Sequence, residues 1–96
     1  MRKVSEQDLS NIIKRSFNSN TILVNFKGII NGRIFMIKSN CYYNHKEGIL
    51  YLFDLFNHIK IDIASQYKIL FDEDRKELEI KLDNGQDLKL IKKQIK

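Results

Sequence analysis

The chain has 96 residues, of which 43% are hydrophobic and 30% are charged. This length fits a single domain, residues 1–96, and this balance is that of a folded globular protein, so multi-domain and disordered classes are excluded. Seventeen basic and twelve acidic side chains leave a net charge of +5, which favours acidic partners.

No segment of the sequence predicts a membrane span or a disulfide. The longest uninterrupted apolar run is residues 49–53, whereas a spanning helix needs about 20 apolar residues. Cys41 is the single cysteine and has no partner for an internal disulfide. We therefore expect a cytoplasmic protein that does not bind membranes. The abundance of Ile, Lys and Asn indicates an AT-rich genome, bacterial or phage.

The first predicted element is a helix over residues 5–18. Ser5 can accept a hydrogen bond from the backbone N–H of Asp8, as the first residue of a capping motif does. Apolar side chains then recur at residues 9, 12, 13 and 17, the spacing of one helical face. This apolar stripe predicts that the helix packs on a sheet.

From residue 21 to residue 92 the apolar period changes to two, which predicts about seven short strands. Asn31-Gly32 is typical of a two-residue hairpin turn that would pair Ile30 with Arg33 and place Phe35 on the core face. Residues 49–53 are apolar on both sides, which predicts a central strand covered on both faces. At Gly85, the alternation of the flanking leucines favours a three-residue loop with a bulge.

These elements predict an α+β fold. One N-terminal helix, residues 5–18, is followed by about seven short antiparallel strands within residues 21–92, which form a small barrel or a strongly bent meander sheet.

The positive charge is not evenly distributed along the chain. Residues 1–50 carry the whole excess of +5, and residues 9–46 contain no carboxylate at all. The same stretch holds seven of the nine asparagines and several aromatic rings, and cations, amides and rings are the side chains that single-stranded nucleic-acid surfaces combine. We therefore expect contact with nucleic acid, or with a nucleic-acid-loaded complex, through Lys27, Arg33, Lys38, Tyr42, Tyr43 and Lys46.

Two other interpretations remain open. In the simpler one, the phenylalanines are core residues, codon usage explains the asparagines, and the cations only keep the protein soluble. In the other, the chain is a protein-binding inhibitor or adaptor, such as a phage-encoded antagonist of a host factor. It would act through an exposed strand edge or an apolar patch that includes Leu55 and Phe56, and could also form homo-oligomers.

No residue pattern predicts catalysis or a cofactor. Cys41, His45, Asp54 and His58 are of the types that bind zinc, but their spacing is not that of a common zinc finger. Cys41 lacks a glycine-rich turn or helix start that would supply oxyanion donors. We therefore expect a non-enzymatic protein without a bound metal or cofactor.

Overall fold

The described residues, 1–93 apart from the side chain of Tyr67, form one short helical segment and nine strands in a computed structural model. Residues 94–96, the end of the predicted domain, lie outside the described residues. The elements are β1 (Arg2–Lys3), α1 (Glu6–Ile12), a π-helical turn (Ile13–Phe17), β2 (Ile22–Lys27), β3 (Gly32–Met36), β4 (Asn40–Asn44), β5 (Ile49–Phe53), β6 (His58–Asp62), β7 (Gln66–Asp72), β8 (Glu77–Leu82) and β9 (Asp87–Lys92).

The helical segment begins at the predicted cap. Ser5 Oγ accepts a hydrogen bond of 3.3 Å from the Asp8 backbone N–H, and this satisfies one donor that the first turn leaves free. The segment ends in the π-helical turn, where the Asn18 N–H donates to the Ile13 carbonyl five residues earlier. Within residues 1–93, no helix has the length and apolar character that a membrane span requires.

The nine strands form two antiparallel sheets. The larger sheet has the strand order β1-β7-β8-β9-β2-β3, and the smaller has the order β4-β5-β6. The α+β class, with antiparallel strands after one helix, is confirmed. The prediction of a single barrel or meander of about seven strands is wrong, because β9 pairs with β2 and the described residues do not close into one barrel.

Two strands were missing from the prediction, β1 and β4. β4 lies in a segment whose polar composition did not predict a strand, because asparagines occupy both of its ends. Its inward side chains, Cys41 and Tyr43, are only 5% and 3% exposed. The period-two alternation of these two residues with Tyr42 was the signal that could have identified it.

One hydrophobic core lies between the inner faces of the two sheets and the helical segment. The helical segment packs against β4 and β9 and closes one side of this core. The central core residues are Leu9, Ile12, Ile13 and Phe17 from the helical segment, Val24, Leu78, Ile80, Leu88 and Leu90 from the larger sheet, and Leu50 and Leu52 from the smaller sheet.

The β2–β3 hairpin has a different register from the predicted one. Asn25 lies opposite Arg33, and Phe35 points outward, 54% exposed, instead of into the core. The reason is a longer connection over residues 28–31. The Asn31 side chain bonds both the N–H and the carbonyl of Gly28, and Gln86 Oε1 accepts from the Ile30 N–H at 2.6 Å. The predicted two-residue turn could not accommodate these contacts.

The β8–β9 connection agrees with the prediction. Ile80 lies opposite Leu88, and residues 83–85 form a three-residue loop in which Gly85 has a φ of +90°. This register keeps the leucines of β9 on the core face with Ile80.

Candidate nucleic-acid interface

The structure divides the six predicted contact residues between two sheets. Lys27 and Arg33 lie on the outer face of the larger sheet, where Lys27 is opposite Asp87 in the register. Glu79 and Lys81 of the neighbouring strand β8 line the same cavity as Lys27 and Asp87. The segment that lacks carboxylates in sequence is therefore next to carboxylates in space, and this outer face has mixed charge.

The structure removes Tyr43 from the predicted contact surface. Its side chain is 3% exposed, and its hydroxyl donates a hydrogen bond to Glu6 Oε1. Burial, together with this hydrogen bond to a carboxylate, raises the pKa of Tyr43 well above its ordinary value. A base cannot stack on this ring without unfolding β4, so Tyr42 is the tyrosine of this pair that reaches solvent.

Lys46 lies in the β4–β5 turn, beside an acidic side chain. Asn44 Oδ1 accepts from the backbone N–H groups of Lys46 and Glu47, at 3.0 and 3.1 Å, and so holds the turn. Glu47 in turn accepts a 2.8 Å hydrogen bond from the Tyr51 hydroxyl, which raises the pKa of Tyr51. This end of the smaller sheet therefore carries both signs of charge.

The outer face of the smaller sheet, here called the aromatic face, is directed to solvent. Its members alternate with the core residues of the same strands and are Asn40, Tyr42, Asn44, Ile49, Tyr51, Phe53, His58, Lys60 and Asp62. The prediction that residues 49–53 are covered on both faces is wrong, because Phe53 is 39% exposed while Leu52 is fully buried.

The central row of the aromatic face joins two rings and a cation. Tyr42 and Tyr51 are opposite each other in the register and stack with their ring centroids 6.1 Å apart at an interplanar angle of 27°. Lys60, the next residue in the row, places Nζ 5.6 Å from the Tyr51 ring centroid, within cation–π distance. Tyr42 remains 56% exposed, so a flat ligand has access to this row.

The next row of the aromatic face adds a third ring and a titratable group. Asn40, Phe53 and His58 follow one another across the three strands. The Phe53 and His58 rings meet edge to face, with centroids 5.8 Å apart. This row borders the first one, so three aromatic side chains lie together on one surface of the sheet.

A groove of about 460 Å³ lies beside the aromatic face, between the helical segment and β4. Lys14 and Asn18 from the helical side line it, together with Asn40, Tyr42 and Phe53 from the sheet. A second cavity, which Lys38 lines, shares Asn40 and Phe53 with this groove. Lys14 and Lys38 are therefore the cations next to the aromatic face at its β4 edge.

Asp54 is the carboxylate at this edge, and its oxygens are already occupied. Oδ1 accepts from the N–H groups of Phe56 and Asn57, and Oδ2 accepts from the N–H of Ile37 at 3.3 Å. Desolvation is the largest single influence and raises the pKa of Asp54, but the hydrogen bonds from Phe56, Asn57 and Ile37 together outweigh it and lower the pKa below its ordinary value. The carboxylate therefore stays ionised and acts as the acceptor that holds this turn.

The predicted contact residues did not include Lys14, Tyr51, Phe53, His58 or Lys60. In β5, aromatic Tyr51 and Phe53 alternate with aliphatic Leu50 and Leu52, and this change of side-chain type was the available signal. Reading the strand as uniformly apolar concealed it.

The residues considered as metal ligands do not form a site. Cys41 faces the core next to Ser39 Oγ, His45 lies near Glu6, and His58 lies against Phe53. Burial raises the pKa of the Cys41 thiol, with a smaller opposite effect from Ser39. Among the side chains described, no group of three or more His, Cys, Asp or Glu residues is placed to hold a metal ion.

Comparison with known proteins bears on the fold alone. No protein-family model matches the chain, and no curated protein matches it significantly. Among solved structures, the inner membrane complex sub-compartment protein 3 of Toxoplasma gondii matches with a TM-score of 0.51 and 18% sequence identity, over 96% of this chain and 74% of that chain. A likeness at this level of identity supports the arrangement of helix and strands and carries no function.

Proposed function

We propose that the protein is a non-enzymatic module that binds single-stranded nucleic acid on the aromatic face. The stacked pair of Tyr42 and Tyr51, with Lys60 over the Tyr51 ring, is the observation that carries the proposal. Aromatic side chains on an open sheet accept unstacked bases, and adjacent cations neutralise the phosphates between them.

The proposed contact surface contains only some of the six predicted contact residues. Tyr42 and Lys38 remain in it, and Lys14, Phe53 and Lys60 join it. Lys27 and Arg33 lie on the other sheet, and are not needed for binding on the aromatic face. Exposed rings on a sheet stack with unpaired bases, so we expect single strands to bind more tightly than a duplex of the same sequence.

Fluorescence anisotropy with a labelled single-stranded oligonucleotide tests this proposal. Replacing Tyr42 by Ala removes one stacking surface and should weaken binding by about 1–3 kcal/mol, which is a factor of roughly 5 to 150 in Kd. Phe35→Ala is the matched control, since Phe35 is 54% exposed and Tyr42 is 56% exposed, but Phe35 lies on the larger sheet. Equal losses in the two variants, or tighter binding of duplex, would contradict the proposal.

Salt dependence tests the role of the cations. If Lys14, Lys38 and Lys60 each meet one phosphate, log Kd should change with log salt concentration at a slope of magnitude near roughly 2 for a single strand. Lys60→Gln should reduce that magnitude, whereas Lys27→Gln and Arg33→Gln should leave it unchanged. A slope that depends on Lys27 and Arg33 instead would place the contact on the larger sheet.

A further inference from the structure

The β5–β6 turn presents two large apolar side chains almost entirely to solvent. Leu55 is 88% exposed and Phe56 is 85% exposed, and Ile37 beside them is 57% exposed. These three residues, here called the apolar tip, line one groove of about 550 Å³ together with Lys38 and Phe53. Contiguous exposed apolar side chains of this size are typical of a protein-binding surface.

The apolar tip is held in place before any partner arrives. The Asp54 N–H donates to the Asn57 carbonyl at 2.9 Å, and Asp54 Oδ1 accepts from the backbone and side chain of Asn57. Asp54 Oδ2 also accepts from the Ile37 N–H, which ties the turn to the end of β3. A surface ordered in advance loses little conformational entropy on binding, and this favours affinity.

The charge of the groove indicates the chemistry of its partner. Lys38 is exposed at its rim, and Lys14 lines the adjoining groove. Among the described residues that line the tip groove, Asp54 is the only carboxylate, and its oxygens accept hydrogen bonds from this chain's own N–H groups. The described residues that line the two adjoining grooves therefore combine apolar side chains with two cations and one ionised carboxylate, which is a net charge of +1.

We propose that the apolar tip docks a segment of a partner protein in which bulky apolar side chains alternate with carboxylates. The apolar side chains would fill the groove between Ile37 and Leu55, and the carboxylates would face Lys38. Nucleic acid fits this site less well, since two of the three residues of the apolar tip, Ile37 and Leu55, are aliphatic and offer no stacking surface. A membrane also fits less well, because it cannot fill a concave groove and would press Asp54 against anionic headgroups.

Selection from a random peptide library on the purified protein tests this inference without a known partner. The library is first depleted on the double variant Leu55→Ser/Phe56→Ser, whose fold should persist because both side chains are exposed; unchanged thermal unfolding checks this. Peptides enriched on the wild type should be rich in aromatic or large aliphatic residues and in Asp and Glu. The inference is overturned if no peptide distinguishes the two proteins, or if the enriched peptides are basic.

Single variants then assign the contacts of a selected peptide. Leu55→Ser should weaken its binding by about tenfold or more, whereas Ile29→Ser, which removes a side chain that is 68% exposed elsewhere, should not. Lys38→Asn should weaken peptide binding more than Arg33→Asn does, and this difference should be largest at low salt. Asparagine is chosen because it tolerates the Lys38 φ of +49°. Tyr42→Ala should leave peptide binding intact, so this test and that of the aromatic face can fail separately.

If vesicles containing phosphatidylserine bind the wild type but not the Leu55→Ser/Phe56→Ser variant, the surface binds membrane and the inference is wrong.

Discussion

The hydroxyl of Tyr43 donates a hydrogen bond to Glu6 and so joins the smaller sheet to the first turn of the helix. Glu6 also lies 3.7 Å from Nδ1 of His45, in the turn that follows β4. A residue predicted to contact a ligand therefore contributes to the fold, by fixing how β4 sits against the helical segment.

The burial of Tyr43, together with this hydrogen bond, predicts a loss of stability at alkaline pH. The folded state raises the pKa of Tyr43 above the ordinary value of 10.0, so above about pH 10 the unfolded chain loses a proton that the folded chain keeps. The free energy of unfolding should therefore fall as pH rises through 10. Tyr43→Phe should remove this part of the pH dependence, while Tyr42→Phe should retain it; urea unfolding across this range measures both. A Tyr43→Phe profile parallel to that of the wild type would contradict the assignment.

Gln86 should be among the most important polar side chains for stability. It is buried, and its Nε2 group donates to the carbonyls of Lys27, Ile30 and Asp87, while its Oε1 accepts from Ile30. Gln86→Ala leaves several of these backbone groups without partners and should lower the free energy of unfolding by about 2 kcal/mol or more. Chemical denaturation measures the loss, and Gln7→Ala at an exposed helix position should cost far less.

Gly28 cannot accept a side chain where it stands. A Cβ there would lie 2.4 Å from the Gly85 carbonyl oxygen and 3.0 Å from the Gln86 Cα, and the φ of Gly28 is +133°. Gly28→Ala should therefore destabilise the protein by roughly 2–4 kcal/mol through steric overlap and backbone strain. Gly32→Ala, also at positive φ but with no atom within 4 Å of the added Cβ, separates the two causes. Equal losses in both variants would mean that the close approach to Gly85 contributes nothing.

The ionised Asp54 carboxylate should stabilise the folded protein at neutral pH, and this stabilisation should be lost in acid, where the carboxylate is protonated. Its pKa is lower in the folded state than its ordinary value of 3.8, so folding gains stability above that pH and loses it as pH falls through the folded value. Asp54→Asn should be less stable than the wild type at neutral pH, and this difference should shrink as pH falls below 3.8. A difference that stays constant with pH would exclude the carboxylate charge as the cause. Asp74→Asn, in an exposed turn, provides the comparison.

Local signals predicted the parts of the fold that depend on neighbouring residues. The cap at Ser5 and the three-residue loop before Gln86 were predicted correctly, because a side chain two or three positions away fixes each. The β2–β3 register was not, since the Gln86 side chain that holds its loop lies 56 positions from Ile30. A dipeptide such as Asn31-Gly32 cannot report a contact with a distant strand.

The candidate site was only partly predictable for a similar reason. The sequence predicted both Tyr42 and Tyr43 as contact residues outside the apolar period, but which of the two faced solvent depended on recognising β4 as a strand. The Tyr51 ring and Lys60 join Tyr42 through pairing between strands, which periodicity within one strand does not encode. Charge counted along the chain did not predict the contact surface well, because β2 pairs with β9 and this pairing brings Asp87 opposite Lys27.

The pairing of β2 with β9 also has a consequence for how the protein is made. During synthesis β2 leaves the ribosome well before β9, which is its hydrogen-bonding partner on that side of the sheet. Until β9 follows, the edge of β2 that it covers in the fold, with Val24 and Phe26 on one face, lacks its partner, and an unpaired strand edge of this kind favours aggregation.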